Sequence, residues 1–125
     1  MPGETILVVD DEAAAAALLA EGLSRDGYKV DTAANGAIAL RKLAAQNYDL
    51  VISDSGMPVL SGPELYRELE RREPHLAGRF VFVTGDALNS CTRAFVAQTG
   101  GPQLEKPFTL ESVKCVVRRV LLATA

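Results

Sequence analysis

Tryptophan is absent from the chain, histidine occurs once, at His75, and cysteine twice, at Cys91 and Cys115. The two cysteines lie apart, each inside a predicted helix. They read as reduced packing residues of a cytosolic protein rather than as a disulfide pair. His75 sits beside Pro74 in a predicted loop and reads as a surface residue. Long apolar runs are missing too. The longest, Ala13 to Ala20, falls far short of the ~20 residues that span a bilayer. Basic excess is lacking: 13 Lys and Arg against 16 Asp and Glu leave a formal charge of -3. Nothing of that kind draws a protein to nucleic acid or anionic lipid. The chain does not open on a basic segment followed by an apolar one, so no signal peptide is expected. There is neither an internal repeat nor a linker. What is present is 125 residues, 48% of them hydrophobic, the length of one ordinary domain with one real core. The expectation is a single domain over 1–125, cytoplasmic, and a monomer or weak homodimer.

One stretch organises the rest: Leu50-Val51-Ile52-Ser53-Asp54-Ser55-Gly56-Met57-Pro58. A short apolar run bounded by turn signals reads as a buried strand. Asp54 then falls where the strand ends. Burying an unpaired carboxylate inside a strand is expensive, whereas a strand end holds it rigidly and half wet.

Strand and helix alternate five times along the chain. Thr5 to Val9 is an apolar strand. Glu12 to Asp26 is a helix with Ala15, Leu19 and Leu23 inward, ended by Gly27. Tyr28 to Thr32 alternates polar and apolar residues. Asn35 caps a helix to about Asn47 with Ala37, Leu40 and Ala44 on one face. Asp49 to Ser53 is the central run. Ser61 caps a helix with Pro63 in its first turn, which runs to Glu73 and stops at Pro74. Arg79 to Val83 is the fourth strand, and a helix runs from about Asp86 to Gln98. Gln103-Leu104 is a short fifth strand. Thr109 caps the last helix, with Val113, Val116, Val117, Val120 and Leu121 inward.

This alternation predicts an α/β fold, a doubly wound parallel sheet with helices on both faces. Strands one, three and four are apolar throughout and therefore central. Strand two alternates and strand five is short, so both suit edges. The resulting order, 2-1-3-4-5, is the flavodoxin-like (βα)5 arrangement, whose ligands bind past the carboxyl ends of the strands where the order reverses. Asp10-Asp11-Glu12, Asp54, Thr84-Gly85-Asp86 and Lys106-Pro107 follow strands one, three, four and five. Three aspartates, a hydroxyl and an ammonium are thus expected around one crevice. Two like charges ~4 Å apart repel by about 4 kcal/mol at an effective dielectric near 20. A hard divalent ion relieves this, and an open carboxylate site suits Mg²⁺. Such a set can receive a phosphoryl group, the carboxylate attacking phosphorus to give an acyl phosphate.

The motifs Val8-Val9-Asp10-Asp11-Glu12, Ser53-Asp54 with Met57-Pro58 and Ser61-Gly62, Val83-Thr84-Gly85-Asp86 and Leu104-Glu105-Lys106-Pro107-Phe108, taken in order, resemble a two-component receiver domain along essentially the whole chain. The resemblance implies that Asp54 is the phosphoacceptor and that Asp11 ligates Mg²⁺ directly with help from Asp10. It implies that the Gly56 carbonyl completes the protein ligands, that Thr84 and Lys106 contact the phosphoryl group, and that Lys106-Pro107 is a cis peptide. It also implies a histidine kinase or phosphotransfer domain as donor. Gln103 departs from the Tyr or Phe common in the family three residues before the lysine. The stretches Gly62 to Leu69 and Thr99 to Glu105 look more like receivers at the C-terminus of hybrid histidine kinases. Two other readings stand beside this one: an unphosphorylated interaction module, and a Mg²⁺ phosphatase with an aspartyl nucleophile. The phosphatase normally needs a second acid where this chain has Gly56.

Overall fold

The computed structural model describes residues 3–54, 62–84, 103–105 and 108–123. Its strands are β1 (Thr5–Val9), β2 (Lys29–Ala33), β3 (Leu50–Asp54), β4 (Phe80–Thr84) and β5 (Gln103–Glu105). Its described helices are α1 (Ala13–Arg25), α2 (Gly36–Ala45), α3 (Gly62–Arg72), the single turn α4 (Pro74–Ala77) and α5 (Leu110–Ala123). All strand pairs are parallel and the order is β2-β1-β3-β4-β5, as the hydrophobic pattern predicts. The predicted helix over Asp86 to Gln98, the Ser61 cap and Cys91 lie outside the described residues. No described helix is long and apolar enough to cross a membrane.

Alternation along the central strands divides the core in two. Ile6, Val8, Ile52, Val81 and Val83 face α1 and α5 on one side. Leu7, Val9, Val51, Phe80 and Phe82 face α2, α3, α4 and Tyr48 on the other. Because β1 and β3 are buried on both faces, their hydrogen-bonding ends are held without play. The caps behave as their chemistry requires. Asn35 Oδ1 accepts from Ile38 N–H at 2.9 Å and Thr109 Oγ1 from Ser112 N–H at 3.1 Å. Gly27 takes φ 93°, a left-handed value that favours glycine where α1 must stop. The five predicted inward residues of the last helix are all buried. Glu68 pairs with Arg71 and Arg72 at 3.1 and 3.2 Å along α3; such exposed pairs contribute only a few tenths of a kcal/mol.

Four details differ from the sequence reading. α1 buries Ala16 rather than Ala15 beside Leu19 and Leu23. α2 buries Gly36, Ala39 and Leu43, while Ala44 is exposed and Ala37 and Leu40 are only partly covered. An alanine-rich helix offers two apolar stripes, and the rotation observed is one in which Lys42 Nζ reaches the Thr32 carbonyl at 2.6 Å. Pro74 does not merely end a helix; it starts the turn α4, where a proline with preset φ is well placed. Cys115 is exposed on the outer side of α5 rather than packed.

α1 and α5 meet at Gly22. A β-carbon there would lie 3.0 Å from Leu110 Cγ and closer to both its methyl groups. Gly22→Ala gains about 1 kcal/mol of helix propensity, but overpacking costs about 1–3 kcal/mol. Net destabilisation of about 1 kcal/mol is expected in urea unfolding. Leu110→Ala should be less harmful in the Gly22→Ala background than alone; additivity of the two changes would refute the contact.

Candidate functional site

Strand register brings the acids to one level. Val9 pairs with Ser53, so Asp10, one residue on, stands beside Asp54, the last residue of β3. Asp54 in turn pairs with Val83 of β4. Asp10 is 7% exposed. Its N–H donates to the Ala33 carbonyl at 3.0 Å, and its Oδ1 accepts from Glu12 N–H at 2.9 Å. The carboxylate thereby closes the turn that opens α1. Glu12 occupies the N-cap position, and among the described residues its side chain makes no cap bond; Asp10 bonds the N–H of Glu12 itself, just ahead of the helix. This tight turn carries Asp11 outward, exposed, over the strand end. Asp54 is half-buried, and the fully buried Ser53 hydroxyl donates to the Asp54 carbonyl at 3.0 Å.

One carboxylate oxygen from each of Asp10, Asp11 and Asp54 lies within 4.8 Å of the others. At that separation a fully ionised pair repels by roughly 3 kcal/mol at an effective dielectric near 20, less at the wet Asp11. The donor set is all oxygen and graded from buried to exposed. Those are the features of a site for a hard divalent cation that keeps part of its water, as Mg²⁺ does. Zinc and copper sites usually include nitrogen or sulfur donors, and none of the three grouped side chains offers one.

Of the residues singled out from the sequence, the structure brings Asp10, Asp11 and Asp54 together. Thr84 ends β4, its backbone one register step past Asp54, but its side chain lies outside the described set. Gly56, Lys106 and Pro107 lie outside it as well. Gln103 opens the edge strand β5 and is exposed. Sequence reasoning passed over Asp31, Lys42 and Tyr48, which meet beside β2. The available signal was a charged residue in the middle of an edge strand, where a side-chain partner is to be expected.

The sequence matches the family model for the response regulator receiver domain over residues 6–118. It is 35% identical to the sensor kinase CckA of Brucella abortus across 94% of this chain, which spans 12% of that kinase. Among solved structures, the chemotaxis protein CheY4 of Vibrio cholerae shares 28% identity at a TM-score of 0.82, covering 95% of this chain and 99% of its own. The response regulator TrrA of Thermotoga maritima, solved in complex with Mg²⁺ and BeF, shares 35% identity at a TM-score of 0.77, covering 94% and 99%. Fold, strand-end acids and family match agree, and the chain belongs to the response regulator receiver domains of two-component systems.

Proposed function

We propose that this chain, as one domain over 1–125, is a phosphoacceptor that takes a phosphoryl group from a phosphohistidine onto Asp54. The observation that carries this reading is the convergence of three carboxylates within 4.8 Å at the strand ends. It is supported by the TrrA relative solved with Mg²⁺ and BeF. Asp11 and Asp54 would be the direct carboxylate ligands for Mg²⁺. Asp10, buried and already bonded to Glu12 N–H, holds the turn and adds charge, and the Gly56 carbonyl would complete the protein ligands. When bound, the ion offsets charge on the phosphoryl oxygens. An oxygen of Asp54 attacks phosphorus. As that O–P bond forms, the N–P bond of the donor breaks, and the imidazole nitrogen takes the electron pair and is protonated by water. Thr84 donates a hydrogen bond to a phosphoryl oxygen, and Lys106 neutralises another. The donor is a histidine kinase or a phosphotransfer domain in the cytoplasm. The match to CckA supports attachment to a hybrid sensor kinase.

An exposed Gln103 at the start of β5 favours an output route without an inward-turning aromatic ring, and it sustains the second reading of an unphosphorylated interaction module. The two readings separate on incubation with acetyl phosphate and Mg²⁺. A phosphoacceptor gains one phosphoryl mass that hydroxylamine removes and EDTA prevents. No gain, under conditions that label other receivers, favours the interaction module.

A further inference from the structure

β2 is an edge strand among the described residues, so every second residue turns its backbone polar groups outward. Ala33 faces β1, since its carbonyl accepts the Asp10 N–H. Thr32 therefore faces the outer edge. Both of its backbone groups are met there by side chains. Its N–H donates to Asp31 Oδ1 at 2.9 Å, and its carbonyl accepts from Lys42 Nζ at 2.6 Å. Lys42 Nζ also donates to Asp31 Oδ1 at 2.9 Å, and Tyr48 O–H donates to Asp31 Oδ2 at 2.8 Å. Lys42 and Asp31 thus stand where a sixth strand would otherwise be needed, and they tie β2 to α2 and to the segment before β3.

The charges keep this arrangement intact at working pH. Burial pushes the Tyr48 phenol up, and the Asp31 carboxylate pushes it further, to about 12, so the hydroxyl remains a donor. Burial raises the Asp31 carboxyl, but hydrogen bonds from Lys42, Tyr48 and the Thr32 N–H outweigh it and leave the group below its ordinary value. Asp31 therefore stays ionised.

We propose that Asp31, Lys42 and Tyr48 are positioning residues for the acidic site, acting through the end of β2. The path is short. The clamp fixes Thr32, the next residue Ala33 accepts the Asp10 N–H, and Asp10 Oδ1 holds the Glu12 N–H. The turn that presents Asp11 thus starts from a residue whose N–H is bonded to the end of β2. Edge-strand ends are where local opening is easiest, so without the clamp that turn drifts. The inference rests on the metal-site reading for its consequence, but not for its geometry.

The test is Lys42→Met with Lys42→Arg as the conservative partner, read by native-state amide exchange and by Mn²⁺ titration of the whole chain. In Lys42→Met the Asp10 amide should exchange about tenfold faster while Ile52 and Val81 keep their rates. Mn²⁺ affinity should fall about tenfold, in the manner of lost outer-shell support. Lys42→Arg should restore most of both. Unchanged Asp10 exchange overturns the proposal, as does acceleration spread equally over Ile52 and Val81. Faster Asp10 exchange with unaltered Mn²⁺ affinity overturns the positioning role. If the wild-type chain binds no Mn²⁺, the metal-site reading fails separately, and Asp10 exchange alone then decides whether the clamp exists.

Discussion

Asp54→Asn is expected to abolish covalent phosphorylation and, at the same time, to make the metal-free domain more stable. The first half follows from chemistry. An amide oxygen is a poor nucleophile, and removing a covalent nucleophile costs at least ~10³ in rate, which in a labelling assay is loss to background. The second half follows from the crowding of carboxylates within 4.8 Å. Neutralising one removes two repulsions of roughly 3 kcal/mol at most, reduced by solvent around the exposed Asp11. A gain of about 1 kcal/mol in urea unfolding at low salt, shrinking as salt is added, is the expected result. The sign decides between two accounts. If Asp54 served only to form a turn or cap, its loss would destabilise by about 0.5–2 kcal/mol. Mg²⁺ should stabilise the wild type by mass action and the variant much less.

Phe82→Ala should be among the most damaging changes to the described core, costing about 3–5 kcal/mol. Phe82 is fully buried in β4. Its ring lies 4.7 Å from Phe80 and 5.4 Å from Tyr66, measured between centroids, close enough for aromatic pairing beyond simple area burial. Tyr66 also packs edge-on against Phe80 at 5.4 Å. The three rings fix α3 against β4, two residues before Thr84. A domain of this kind has about 5–15 kcal/mol in total, so a substantial part of its margin would go. Phe82→Leu keeps most of the volume and should cost less than about 1.5 kcal/mol. Equal midpoints for the two variants in urea would contradict the ring packing.

Much of this was legible in the chain because burial writes itself into hydrophobic pattern. Leu50 to Ile52 and Ile6 to Val9 are apolar without alternation because they are buried on both faces. That one fact gives their central place, and the place gives the strand-end position of Asp10 and Asp54. The rotation of α2 was not legible. Ala37, Leu40 and Ala44 form as good an apolar stripe as Gly36, Ala39 and Leu43, and the rotation observed is one that also lets Lys42 reach the Thr32 carbonyl. That contact joins residues ten apart through a side chain, and periodicity does not register it. Asp31 was hidden for the same reason: in an alternating edge strand it reads as a solvent-facing polar residue, whereas it holds Lys42 and Tyr48. Cys115 shows the converse. Its neighbours Val113, Val116 and Val117 are buried, yet it falls on the outer side of the same turn.

The central claim is that the three aspartates tolerate one another because a divalent cation belongs among them. Calorimetric titration of Mg²⁺ into the wild-type chain, Asp11→Asn and Asp54→Asn tests it most directly. Saturable one-to-one binding in the wild type, greatly weakened in both variants, is the predicted result. Absence of binding in the wild type, or binding indifferent to both substitutions, would contradict it.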